Sequence, residues 1–191
     1  MDGEERDGEK GVRGNASVRW AALLAYGGSI LAANWLIRNV GAVTLPNGTH
    51  LAPVGFGLMA PSGAYAAGVT FVARDLVQRV GGQRWALAAI VGGTALSVLV
   101  SPQLALASGS SFAISELCDF AVYTPLERRH FVLAVLLSGV VGSVVDSAIF
   151  LHLAGIPLAA ALPGLLLAKV WVQLLATPVA ARLRKIVPAA G

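Results

Sequence analysis

The chain has 191 residues, 56% of them hydrophobic and only 13% charged, with a mean hydropathy of +0.73. Water-soluble domains carry about 25% charged and about 45–50% apolar residues, so composition all but excludes an ordinary soluble enzyme. The formal charge of +4 would suit nucleic acid, but no basic stripe interleaved with aromatics occurs; the lone cysteine, Cys118, excludes an internal disulfide and a cysteine-based metal cluster.

Residues 1–16 are charged, glycine-rich and free of aromatics, and such a stretch buries too little surface to fold alone. It reads as a disordered cytoplasmic tail, and its acidic balance is wrong for a signal peptide. Six apolar segments follow, at about 18–37, 54–77, 84–100, 103–123, 131–153 and 157–180. Most approach the ~20 residues that cross ~30 Å of hydrocarbon at ~1.5 Å per residue. Ser101-Pro102 marks the turn between the third and fourth. The expected fold is all-α and polytopic, with a six-helix transmembrane domain over 17–186 and a cytoplasmic C-terminal end at 187–191. Spacings such as Ala64…Gly68 suit close helix packing, which small residues permit in lipid.

The basic residues alternate with the spans. Arg6, Lys10, Arg13 and Arg19 precede the first; Arg74, Arg79 and Arg84 surround the second connector to the cytoplasm; Arg128 and Arg129 mark the next; Arg182, Arg184 and Lys185 follow the last. Six spans put these twelve of the 14 basic residues on one side, the other connectors contributing only Arg38 at the end of the first span. The positive-inside rule makes that side the cytoplasm, with both termini inside.

Charges inside apolar spans are the chemical signal. A charge at the bilayer centre costs at least ~2.5–3.5 kcal/mol, so such groups pair with one another or line a cavity. Glu116, Asp119, Asp146 and Lys169 lie within spans, Asp75 lies near the inner end of one, and Asn34 and Gln173 add uncharged polar groups. Counting helix rise puts Glu116 and Lys169 about 20 and about 18 Å below the outer face, which predicts that Lys169 meets Glu116 or Asp119 more easily than Asp146. One packing ion pair is the plain alternative, but it leaves three further carboxylates unexplained. Phe120 and Trp171, close to these charges, are candidates for stacking on a flat ligand, whereas Trp20 and Tyr123 suit an interfacial belt. A carboxylate beside an aromatic plane can hold a guanine-like edge through its ring N–H and exocyclic amine. No histidine spacing suits a metal, no Walker A stretch occurs, and no cofactor is expected. An intramembrane enzyme lacks a Ser/His/Asp or paired-His set.

In order along the chain, these residues resemble the queuosine precursor transporter family, also called the vitamin uptake transporter family. The resemblance rests on Leu31-Ala-Ala-Asn34-Trp35, on Phe71 through Asp75 to Gly81, on Glu116-Leu-Cys-Asp119-Phe120 through Tyr123 to Arg128, on Ser143-Val-Val-Asp146 to Phe150, and on Lys169 with Pro178 nine residues later. It implies a bacterial or phage-encoded transporter of the inner membrane that imports 7-cyano-7-deazaguanine or a related 7-deazaguanine. The implied substrate-binding set is Asn34, Asp75, Glu116, Asp119, Phe120, Asp146, Lys169 and Trp171. Glu116 stands where that family would be expected to carry an amide. The alternative is a substrate-binding membrane subunit served by a separate ATP-driven module. The expected partners are the bilayer and a small planar base, and not nucleic acid.

Overall fold

The computed structural model describes residues 2–45, 48–100, 105–153 and 158–186. The expected Ser101-Pro102 turn and the C-terminal end at 187–191 lie outside these residues. Six helices account for most of the described chain: α1 (Asp2–Asn39), α2 (Gly63–Gly81), α3 (Gln83–Val100), α4 (Ala105–Leu126), α5 (Phe131–Leu153) and α6 (Leu158–Ile186). Among the described residues, three segments are long and apolar enough to cross a membrane: Ala16–Asn39, Phe131–Leu153 and Ala161–Val179. Helix α2 falls short because Arg74, Asp75 and Arg79 sit among its 19 residues. Helix α4 is diluted by its serines and two acids.

Two expectations change. Helix α1 starts at Asp2, so residues 2–16 of the tail, read as disordered over 1–16, continue the first span as helix. The all-α expectation holds for most of the chain but not for the connector between α1 and α2, which a three-stranded antiparallel sheet fills. Its strands are β1 (Val43–Thr44), β2 (His50–Gly55) and β3 (Leu58–Pro61), with Val43 opposite Leu51 and Ala52 opposite Ala60. The segment expected as one span over 54–77 is therefore split. Pro53, Gly55, Gly57 and Pro61 punctuate its first part, and helix does not propagate through residues of that kind. The β2–β3 turn consists of Phe56 and Gly57, both at positive φ (54° and 74°), the backbone sense that two-residue hairpins require.

The sheet caps one end of the bundle and is bolted to three helices. Ser62 Oγ donates to Leu36 O of α1 (2.8 Å), Tyr65 Oη of α2 donates to Pro53 O (2.8 Å), and Trp171 Nε1 of α6 donates to Val54 O (3.0 Å). Below it, Val54, Ala60, Ala64, Leu151, Leu165 and Ala168 form one buried apolar cluster. Tyr26 and Ile30 of α1 pack with Val77 and Ala89 in a second, and Tyr123, Phe131, Ala134 and Val135 close the end of the bundle opposite the sheet. A Cβ on Gly68 would come within 3.0 Å of Val172 and 3.3 Å of the Lys169 backbone. The small-residue spacing on α2 thus marks a close helix contact with α6, and that contact brings the lysine to the bundle interior.

Candidate functional site

Arg74 lies about 16 Å along α2 from Gly63 at helical rise, and its side chain is fully buried. Its Nη2 is 2.9 Å from Asp75 Oδ1 and 2.6 Å from Asp119 Oδ1, and its Nε donates to Glu116 Oε2 at 3.3 Å. Its Nη1 donates to Gln78 Oε1 (3.0 Å), and Gln78 Nε2 in turn donates to Thr124 Oγ1 (3.0 Å). The rings of Tyr123 and Phe120 lie 5.4 and 6.0 Å from the guanidinium carbon. Only a planar five-donor head can address three carboxylates and an amide at once. Glu116 and Asp119 reach it together because i and i+3 share one face of α4.

The cluster holds two carboxylates more than it holds guanidinium. Asp75, Glu116 and Asp119 are at most 2% exposed. Ser138 Oγ donates to Asp75 Oδ2 (3.4 Å), whereas Glu116 Oε1 and Asp119 Oδ2 have no hydrogen-bond partner among the described residues. Each of these two acids thus offers one oxygen to Arg74 and keeps the other unused.

A second ion pair joins α5 and α6. Lys169 Nζ donates to Asp146 Oδ2 (2.5 Å) and to Ser147 Oγ (3.0 Å), and stands 5.7 Å above the Phe71 ring. The sequence expectation paired Lys169 with Glu116 or Asp119; the pairing with Asp146 follows from helix direction. Side chains lean toward the N-terminus of their own helix. Helix α6 starts at the sheet end, so its lysine leans toward the sheet, while Asp146 on the oppositely directed α5 leans away from it. The two heads meet between their Cα levels.

Between the helices is a cavity of about 200 Å³, running from Gly48, Thr49 and Pro61 at the sheet end down to Glu116. Asn34 of α1, Asp146 and Ser147 of α5 and Lys169 of α6 contribute polar groups to its wall; Phe71, Phe112 and Phe150 contribute rings. Ser97, Ser108 and Ser111 add hydroxyls from α3 and α4, with Ser97 and Ser108 hydrogen-bonded at 2.6 Å. A mostly apolar wall with a few placed polar groups and aromatic faces between them is a form that small-molecule sites commonly take.

Of the eight residues implied as substrate-binding, Asn34, Glu116, Asp146 and Lys169 line this cavity. Asp75, Asp119 and Phe120 stand behind Glu116, around Arg74. Trp171 is elsewhere: it is 41% exposed on α6 and holds the hairpin at Val54. Tyr123, assigned by sequence to an interfacial belt, is fully buried. Arg74 was read from sequence as a topology signal beside Arg79 and Arg84, and is instead the hub of the buried cluster. Its signal was the adjacent Asp75 and the Gln78 one helical turn on, a polar stripe no interfacial arginine needs. The rings that line the cavity are Phe71, Phe112 and Phe150; Phe112 and Phe150 stand near the buried charges in sequence, but the stacking role was assigned to Phe120 and Trp171.

Apolar helices long enough to cross a membrane, buried ion pairs and an interhelical cavity with a few polar groups are the features of a membrane protein with a candidate small-molecule site. A family model described as "Putative vitamin uptake transporter" matches residues 98–183, just under half the chain, and supports a vitamin uptake transporter family. The matched stretch contains Glu116, Asp119, Asp146 and Lys169, and ends short of Arg74 and Asp75 on the amino-terminal side. No curated protein and no solved structure matches the chain.

Proposed function

We propose that the protein imports a 7-deazaguanine base, a queuosine precursor such as 7-cyano-7-deazaguanine, across the cytoplasmic membrane. In this reading all six helices cross the bilayer with both termini in the cytoplasm and the sheet outside. With Arg74 withdrawn into the interior, Arg19, Arg79, Arg84, Arg128, Arg129 and Arg182 still gather at the end opposite the sheet, in keeping with the positive-inside rule. The cavity then reaches toward the outside, and the Arg74 cluster with the Tyr123–Phe131 contact closes the cytoplasmic side.

The observation that carries the proposal is Glu116. Its Oε2 is held by Arg74, its Oε1 is buried with no hydrogen-bond partner among the described residues, and the residue lines the cavity. An ionised carboxylate is an acceptor with lone pairs on both oxygens, the complement of the ring N–H and exocyclic amine on a guanine edge. Charge-assisted hydrogen bonds of this kind are about twice as strong as neutral ones. Phe71 and Phe112 flank the same space and suit the flat faces of a bicyclic base. Lys169, Asn34 and Ser147 present donors to its carbonyl and ring nitrogens.

The test is uptake of labelled 7-cyano-7-deazaguanine by cells that lack their own route and express this chain alone. Accumulation that Glu116→Gln abolishes at matched protein level is expected. Uptake only when an ATPase module is co-expressed would transfer the chain to the alternative reading, and no uptake of any deazaguanine in either setting would refute the substrate.

A further inference from the structure

We propose that uptake is coupled to protons, and that Asp119 Oδ2 is the atom that carries the proton. The inference rests on the reading of Glu116 as the acceptor of the base, and adds the energy source to it. Three carboxylates contact one guanidinium at nearly zero exposure; of the other buried cations, Lys169 is committed to Asp146 and Arg79 stacks on Phe131. Unpaired carboxylates are not carried ionised in such surroundings; they take up a proton or a cation. No group of three or more His, Cys, Asp or Glu among the described residues has the arrangement to hold a metal ion, and a proton needs only one carboxylate oxygen.

The hydrogen bonds single out the site. Asp75 uses both oxygens, on Arg74 and Ser138. Glu116 lines the cavity, and Asp119 Oδ2 has no hydrogen-bond partner of good geometry among the described residues, with the Ser138 hydroxyl, which donates to Asp75, as its neighbour. The charged and titratable groups that face the cluster are Tyr26 of α1, Arg74, Asp75 and Arg79 of α2, Glu116 and Tyr123 of α4 with Glu127 past its end, and Asp146 and Lys169 at the α5–α6 contact. Of these, only Glu116 joins the cluster to the cavity.

That position makes Glu116 the relay. A proton arriving through the cavity binds Glu116 Oε1; the O–H bond there breaks as one forms on Asp119 Oδ2, with no change in total charge. Glu116 is then ionised and able to accept the N–H donors of the base, which a protonated Glu116 with its own O–H turned to the cavity accepts less well. Base binding and proton loading therefore favour each other. Release to the cytoplasm frees both, the proton leaving Asp119 by the same oxygen pair.

The full-length protein in liposomes with an internal pH dye tests this. Adding 7-cyano-7-deazaguanine with no gradient present should acidify the lumen as the base enters. An inward gradient of one pH unit should concentrate the base up to about tenfold for one proton per base, since a pH unit is a tenfold ratio. Base entry with no acidification, or accumulation driven by a sodium gradient in place of a proton gradient, would overturn the proposal. Infrared spectroscopy of the base-free protein at neutral pH supplies a readout that needs no substrate. A buried carboxylic-acid C=O band should be present, and Asp119→Asn should remove the component of it that Asp119 contributes. Absence of that band from the parent protein would also overturn the proposal. The band present with no base entering would instead refute the deazaguanine and leave the proton site standing.

Discussion

Replacing Arg74 by methionine keeps much of the side-chain length and removes the one cation that touches Asp75, Glu116 and Asp119. Removing one partner of a buried pair costs about 3–5 kcal/mol, because the other partner is left uncompensated. The same figure follows from protons. The native variant must hold one more proton than the parent to neutralise the carboxylate that Arg74 had balanced, whereas the unfolded chains bind equal numbers. Stability then falls with rising pH more steeply in the variant, by about 1.4 kcal/mol per pH unit per extra proton. Between pH 5 and 8 the gap between variant and parent should widen by about 4 kcal/mol, and it should stop changing once pH falls through the range in which carboxylates of the unfolded chain are themselves protonated. Reversible unfolding in mixed micelles, followed by tryptophan fluorescence across that range, measures it. Arg74→Lys should lie between the two, since a single ammonium keeps the charge but loses the fork that reaches three acids and Gln78. Stability curves for Arg74→Met and the parent that run parallel in pH would refute the account of the cluster.

Other outcomes follow from single contacts. A Cβ on Gly164 would fall 2.1 Å from the Met59 carbonyl oxygen, whereas one on Gly92 meets nothing within 4 Å; Gly164→Ala should cost about 1–3 kcal/mol by overpacking and Gly92→Ala should be neutral or stabilising in the same unfolding assay. Trp171→Phe loses the donor to Val54 O and should cost about 0.5–1.5 kcal/mol with base affinity unchanged, as measured by equilibrium binding. Lys169→Met strands Asp146 and should lower both expression and uptake, and pairing it with Asp146→Asn should restore expression on a membrane blot. A reporter active only in the cytoplasm should work when fused near Arg129 and stay silent near Thr49; activity at both would refute the six-span arrangement.

How much of this was legible depends on what each residue interrupts. Glu116, Asp146 and Lys169 stand out in sequence because each breaks an otherwise apolar run, and all three line the cavity. Arg74 breaks nothing. It sits near the end of its segment beside Arg79 and Arg84, where an interfacial arginine is ordinary, and only the fold shows it turned inward. Which acid Lys169 meets was not legible from depth alone, because the lean of the two side chains along oppositely directed helices moves their heads by several ångströms relative to their Cα positions. The hairpin was hidden by its own apolarity: Leu51, Val54, Leu58 and Met59 run into α2 as if part of one span. The pairs of glycine and proline around Phe56 were the contrary signal, and they carry more weight than the hydropathy. Trp171 looked like a stacking ring because it is two residues from Lys169. Two residues along a helix is about 200° around it, which turns Trp171 away from the cavity that Lys169 enters.

The central claim is that Glu116 reads the guanine-like edge of a base, and equilibrium binding to the purified protein tests it most directly. The ligands are 7-cyano-7-deazaguanine and its analogue lacking the exocyclic amine; the proteins are the parent and Glu116→Gln. A hydrogen bond to a charged group is worth about 1.5–3 kcal/mol, so the parent should favour the full base by about 10- to 100-fold. Glu116→Gln should bind the full base more weakly by a similar factor and lose most of the preference between the two ligands. Equal affinity of the parent for both ligands, together with unchanged binding by Glu116→Gln, would contradict the account.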